Sequence, residues 1–175
     1  VSVPANATYI ANQHLDFTVN FTENVTVNTA GGTPQIAITI GATTRQAVYQ
    51  SGSGTSALLF RYTVQAGEND SDGIAVGALS ANGGTLKDVS NNEATLTLNS
   101  VGATALIKVD ARAANVTGIT LSGNEIASDT SIIYTVTFDE TVFGIAASDF
   151  AVTRLSGNAI GSVTSISASS GMSIN

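Results

Sequence analysis

Short segments in which apolar and polar residues alternate recur along this 175-residue chain. The clearest are residues 15–21, 36–40 and 58–64, and shorter apolar runs lie at 1–3, 74–79 and 94–98. An alternation with a period of two predicts a β-strand that buries one face. Apolar residues do not recur at helical spacing with caps, so the pattern predicts strands throughout.

The segments between these strands are rich in turn-forming residues, such as Gly31-Gly32-Thr33-Pro34. About seven short strands separated by turns in roughly 100 residues are typical of an antiparallel β-sandwich of the immunoglobulin type. The chain has no cysteine and no tryptophan, so it lacks the Cys–Trp–Cys pattern of antibody domains. The predicted fold class is therefore all-β, built from immunoglobulin-like sandwiches.

A segment of the chain is repeated. The sequence DFTVNFTENV at residues 16–25 returns as IYTVTFDETV at 133–142, an offset of 133 − 16 = 117 residues. A spacing this long indicates tandem whole domains rather than a solenoid. It predicts a complete immunoglobulin-like repeat at 1–111, a linker at 112–117 and a second repeat at 118–175.

The second repeat has 175 − 117 = 58 residues, so we expect the N-terminal half of a domain. Further strands are predicted in it at 150–153 and 163–166. Either the chain is a fragment of a longer protein or a partner supplies the remaining strands.

Charge and composition narrow the function classes. Thirteen acidic and six basic residues give a net charge of −7, which disfavours nucleic acid because phosphate binding needs clustered Lys and Arg. No apolar run approaches the roughly 20 residues of a membrane helix, so no direct membrane insertion is expected. His14, the one histidine, lies in a predicted turn, and the few aromatic residues provide no wall for a sugar cleft. We therefore expect no enzyme activity.

Acidic residues gather in the turn after the strand at 58–64, where Glu68, Asp70 and Asp72 alternate and Gly73 follows. The spacing is like the first half of an EF-hand calcium loop, but its last ligand position is Leu79, where a bidentate Glu is required. The turn is therefore either a polar chain break or a calcium loop of another kind.

Strand counting places this turn at the same end of the sandwich as the joint to the second repeat. Calcium takes about six to eight oxygen ligands, so several converging carboxylates suit it. The sequence predicts a structural calcium site at this junction with five acidic ligands: Glu68, Asp70, Asp72, Asp110 and Glu140. Glu23, the repeat partner of Glu140, and Asp88 form a weaker candidate pair at the opposite end of the first repeat.

The segments FTVNFTENVTV, GGTPQIAITIG, YQSGSGTSALLFRYTVQAGENDSDGIAV and LSANGGTLKDVSNNEATLTL span most of the first repeat. They resemble the bacterial immunoglobulin-like, cadherin-like repeats of large secreted adhesins, which are often exported by type I secretion with RTX-type C-terminal regions. The resemblance implies a rod of β-sandwiches at the bacterial cell surface, with calcium at its linkers. It assigns the acidic loop to Glu68, Asp70 and Asp72, the linker Asp to Asp110, and the strand-end Glu to Glu23 and Glu140.

We therefore expect a non-catalytic extender segment of an extracellular bacterial adhesin, with calcium rigidifying the junction. Its partners would be neighbouring repeats of the same polypeptide, with self-association or a host or matrix ligand as further possibilities. Two alternatives stay open. One is a carbohydrate- or protein-binding β-sandwich module, and the other is a filament subunit completed by strand donation.

Overall fold

A computed structural model of the chain describes residues 1–122, 131–155, 157 and 160–175. Among these residues every regular element is a strand, apart from one turn of 3-10 helix at Ala147–Asp149. This confirms the all-β prediction. The chain divides into two compact units, Val1–Arg112 and Ala113–Asn175. The described part contains no helix long and apolar enough to cross a membrane.

The first unit contains nine strands in two sheets. In chain order they are β1 (Ala7–Tyr9), β2 (His14–Asn28), β3 (Gln35–Ile40), β4 (Thr43–Ser51), β5 (Thr55–Thr63), β6 (Asn69–Asp70), β7 (Ala75–Ser80), β8 (Thr85–Lys87) and β9 (Ile107–Asp110). The larger sheet has the order β7-β3-β4-β5-β2-β8, and the smaller has the order β1-β9-β6. All pairings are antiparallel except that of β1 with β9, the first and last strands of the unit.

The core of the first unit lies under the alternating faces predicted from the sequence. Leu15 and Phe17 on β2 and Phe60 on β5 are completely buried, because side chains two residues apart on a strand point to the same face. Ile107 and Val109 on β9 join the same apolar cluster. The two sheets therefore enclose one core, and this core fixes the places from which the loops emerge.

Two segments of the first unit differ from the prediction. Strand β4 lies between β3 and β5, but the sequence did not indicate it, because Ala47 is its one completely buried residue. The strand predicted at 94–98 is wrong. Residues 95–98 form no ladder with a neighbour, although exposure still alternates along this stretch and Leu96 and Leu98 pack against the core.

The described residues of the second unit form a three-stranded antiparallel sheet with the order β10-β11-β12. Its strands are β10 (Val116–Leu121), β11 (Tyr134–Phe143) and β12 (Ser170–Ile174). Strand β10 begins within the predicted linker at 112–117. The strands predicted at 150–153 and 163–166 are wrong, since these residues have no regular structure.

The internal repeat extends to strand pairing. In the first unit Val19 on β2 pairs with Leu58 on β5, and in the second unit the repeat partner Val136 on β11 pairs with Ile174 on β12. Both ladders change register at the same repeat position, between Asn20 and Val25 in β2 and between Thr137 and Val142 in β11. Strand β12 thus takes the place along β11 that the first half of β5 takes along β2.

Candidate functional site at the acidic turn

The acidic turn of the first unit, residues 68–73, lies between β5 and β7 and contains the short strand β6. Glu68 and Asp70 are buried, with 7% and 4% of their surfaces exposed, whereas Asp72 is exposed. Asp110 is half-buried at the end of β9 and pairs with Asn69 across the β6–β9 ladder. The structure therefore brings Asp110 next to the turn but divides the turn's own acids between the interior and the surface.

The carboxylate of Glu68 is held by three donors. The guanidinium of Arg45 on β4 donates from Nε to Oε1 at 2.5 Å, and the hydroxyl of Tyr62 on β5 donates to the same oxygen at 2.6 Å. The backbone N–H of Gln65 donates to Oε2 at 2.8 Å. A buried carboxylate requires such compensation, because leaving it without partners costs several kcal/mol.

Asp70 is likewise engaged through both oxygens. Its Oδ2 accepts from the backbone N–H of Gly41 at 2.7 Å, and its Oδ1 accepts from the backbone N–H of Gly73 at 2.8 Å. Gly73 has a φ of 104° and lies so close to Ala105 that a side chain would collide with its backbone. Asp70 therefore joins the β3–β4 turn to a tightly packed turn after β6.

The backbone of the turn is hydrogen-bonded to the exit segment, residues 111–112, by which the chain leaves the first unit. The N–H of Gly67 donates to the carbonyl of Ala111 at 2.7 Å, and the N–H of Ala111 donates to the carbonyl of Glu68 at 2.8 Å. These two bonds extend the β6–β9 pairing beyond Asp110. Glu68 thus connects to β4 through its side chain and to the exit segment through its main chain.

A polar cleft of about 410 Å³ opens beside this network. Its lining includes Arg45, Glu68, Asn69 and Arg112. Two of the six basic residues of the chain therefore lie at the end where the sequence predicted only acidic ligands. Burial, followed by the hydrogen bond to Glu68, raises the pKa of Tyr62 to about 12, so its hydroxyl stays protonated well above neutral pH.

The carboxylates of Glu68 and Asp70 are already engaged, because all four oxygens accept N–H or O–H donors and the positive charge of Arg45 adjoins Glu68. In this arrangement they are less suited to a calcium ion than exposed carboxylates are. The described residues contain no group of three or more Asp, Glu, His or Cys side chains that could hold a metal ion. Asp72 and Asp110 are the remaining predicted ligands here, and Glu140 lies half-buried on β11 of the second unit. Calcium at the junction stays a prediction.

The weaker candidates lie along a second groove of the first unit. Glu23 and Asp88 both line this groove, whose volume is about 470 Å³. Asp88 accepts hydrogen bonds from the backbone and the side chain of Asn92, which lower its pKa. Glu93, also in the groove, forms an ion pair with Lys87 at 3.2 Å. The structure thus places Glu23 and Asp88 in one groove, but engages Asp88 within its own turn.

The histidine is not arranged for nucleophilic catalysis. Nδ1 of His14 lies 3.0 Å from the hydroxyl of Thr63, on an exposed strand end. The nearby carboxylate of Asp16 is engaged by Arg61 through two hydrogen bonds of 2.7 Å. A serine nucleophile needs its base to be oriented by an acid, and here the acid binds the guanidinium instead.

Sequence reasoning missed Arg45 and Tyr62 as members of the site. Arg45 lies 23 residues before Glu68, within a strand that the apolar pattern did not reveal. The alternation at 58–64 predicts that Tyr62 faces inward, and it packs half-buried against the core, but the pattern does not indicate that its hydroxyl reaches Glu68. One signal in the sequence could have indicated them: the chain has few basic residues and several acids, and a buried acid requires a partner.

Comparison with known proteins finds no matching family model, curated protein or solved structure.

Proposed function

We propose that the chain is a non-catalytic extender segment of a large bacterial surface adhesin, which holds a binding domain away from the cell. The observation that supports this most is the parallel pairing of β1 with β9, the terminal strands of the first unit. An extender transmits force from its N-terminus to its C-terminus. The strands that connect to its two neighbours must therefore hold together under tension.

Parallel terminal strands resist such a force well. When the two ends are pulled apart, β1 and β9 slide along each other, so their hydrogen bonds carry the force together rather than one after another. The ladder pairs Ala7 with Ile107, Thr8 with Lys108 and Tyr9 with Val109. Ile107 and Val109 are buried in the core, which keeps water from the bonds beside them.

Calcium at the junction belongs to this proposal as its metal-dependent part. Asp72 and Asp110 are the carboxylates that the first unit would contribute, together with main-chain carbonyls and water, and Glu140 is the predicted ligand from the second unit. Bound calcium would raise the apparent stability of the folded chain. Thermal unfolding of the wild type and of Asp72→Asn/Asp110→Asn, each with calcium and with chelator, tests the calcium part of the proposal. Equal melting temperatures of the wild type and the double variant in calcium would contradict it.

A second candidate function is that of a filament subunit completed by strand donation. Tyr134 on β11 is 51% exposed, whereas its repeat partner Phe17 on β2 is completely buried. An apolar strand from another copy would cover such a face by β-augmentation. Sedimentation of the wild type and of Tyr134→Asp over a range of concentrations distinguishes the two functions, because strand donation predicts self-association that a charge on this face of the second unit abolishes.

Surface location is tested on the producing cells. Antibodies against the first unit should label intact cells, and brief protease treatment of intact cells should remove the label. Labelling that appears only after permeabilisation would contradict an extracellular extender.

A further inference from the structure

We propose that Arg45, rather than a bound metal ion, is the cation that fastens the exit of the first unit. This contact matters for function only if the chain is an extender, as proposed above. The hydrogen bonds on which the inference is based do not depend on that role. Arg45 is anchored on β4, in the middle of the larger sheet. From there its Nε reaches the carboxylate of Glu68, which lies beside the exit segment.

Glu68 connects the sheet to the exit. Its side chain is 5% exposed, so its negative charge depends on neighbouring donors rather than on water. Its carbonyl accepts the N–H of Ala111, and the preceding Gly67 donates to the carbonyl of Ala111. If Glu68 were released from Arg45, the turn would lose its attachment to β4, and these two backbone bonds would open more often.

Arg45 and a calcium ion would compete for the same carboxylate. Calcium–oxygen distances are about 2.3–2.6 Å, and Oε1 of Glu68 already accepts from Arg45 at 2.5 Å and from Tyr62 at 2.6 Å. A second cation at this distance would face strong repulsion from the guanidinium in a partly buried place. The arginine thus supplies internally the positive charge that the sequence pattern predicted from a metal.

Amide hydrogen exchange in the full chain tests the proposal, with the N–H groups of Gly67 and Ala111 as reporters. In the wild type both N–H groups should already exchange slowly in chelator, because Arg45 holds Glu68 without a metal ion. Arg45→Met should speed their exchange about tenfold or more, because the turn loses a charge-assisted hydrogen bond to a buried carboxylate. Glu68→Gln should produce a change in the same direction, since the amide keeps the shape but loses the charge.

Arg61→Met is the matched control. Arg61 also forms an ion pair with a carboxylate, Asp16, and its side chain is 35% exposed compared with 38% for Arg45. It lies on β5 and does not bond to the turn, so its replacement should leave exchange at Gly67 and Ala111 within about twofold of the wild type.

Two results would overturn the proposal. One is fast exchange at Gly67 and Ala111 in the wild type with chelator that becomes slow only when calcium is added, which would mean that a metal fastens the exit. The other is unchanged exchange in Arg45→Met. If Arg45→Met does not fold, the comparison of the wild type in calcium and in chelator still tests the proposal, because it requires no variant. None of these results depends on where the protein is located, so the proposed function and this inference can fail separately.

Discussion

Replacement of Asp70 by alanine tests whether the acidic turn is held by internal hydrogen bonds. The wild-type carboxylate accepts the N–H of Gly41 at 2.7 Å and the N–H of Gly73 at 2.8 Å, and 4% of the residue is exposed. In Asp70→Ala both N–H groups lose their partner in a place that water reaches poorly. The variant should therefore be clearly less stable, whatever the calcium concentration.

The magnitude follows from the two bonds. A hydrogen bond to a charged group contributes about 1.5–3 kcal/mol. Because the two bonds share one carboxylate and water can enter part of the space, we expect a total loss of about 3 kcal/mol rather than the full sum. At about 4 °C per kcal/mol for a domain of this size, the melting temperature should fall by about 12 °C.

Urea denaturation followed by tyrosine fluorescence measures this loss, because three of the four tyrosines lie in the first unit. Asp72→Asn is the matched control. Asp72 is two residues away and exposed, so in chelator, where it binds no calcium, its replacement should change the free energy of unfolding by less than about 0.5 kcal/mol. The reasoning is refuted if Asp70→Ala unfolds at the wild-type urea concentration, or if its loss appears only when calcium is present.

Three further predictions concern the core and two titrating groups. In urea denaturation, Phe17→Ala should lower the free energy of unfolding by about 3–5 kcal/mol, because Phe17 is completely buried. Tyr134→Ala at the repeat position should lower it by under about 1.5 kcal/mol, because Tyr134 is 51% exposed. Equal losses would contradict this. Since burial and Glu68 raise the pKa of Tyr62 to about 12 from 10.0, its contribution to stability should be complete below about pH 10 and disappear as the pH rises through 12. Ultraviolet titration of the wild type minus Tyr62→Phe should show this group titrating last, and a midpoint near 10 would refute it. The Arg61 guanidinium lowers the pKa of Asp16 below 3.8, so this pair's contribution should be present at higher pH and lost as the pH falls through the lowered value. Carboxyl NMR of the wild type and Arg61→Met should show the pKa rising in the variant, and an unchanged pKa would contradict the pairing.

The fold could be predicted from the sequence where burial follows strand geometry. In β2 and β5 the inward side chains, such as Phe17 and Phe60, are fully buried, so the period of two is visible. Strand β4 was not visible, because Ala47 is its one completely buried residue and apolar side chains therefore do not mark an inward face. Residues 94–98 show the opposite error. Their apolar residues alternate and are half-buried, but the segment forms no strand pairing.

The candidate site could be predicted in part. The position of the acidic turn beside Asp110 follows from counting strands, and the β6–β9 pairing agrees with it. The direction of each carboxylate could not be predicted, because it depends on donors far away in the sequence. Arg45 and Gly41 come from β4 and the turn before it, and their approach to the acidic turn depends on the packing of the whole unit.

The rupture force of the first unit is the most direct test of the central claim that this unit transmits tension. Force applied through the ends of the chain should load β1 and β9 in shear. The chain has no cysteine, so handles at Thr33→Cys and Gln50→Cys would instead peel β3 from β4 one bond at a time. The account predicts a higher rupture force between the chain ends than between these two handles. An equal or lower force between the chain ends would contradict it.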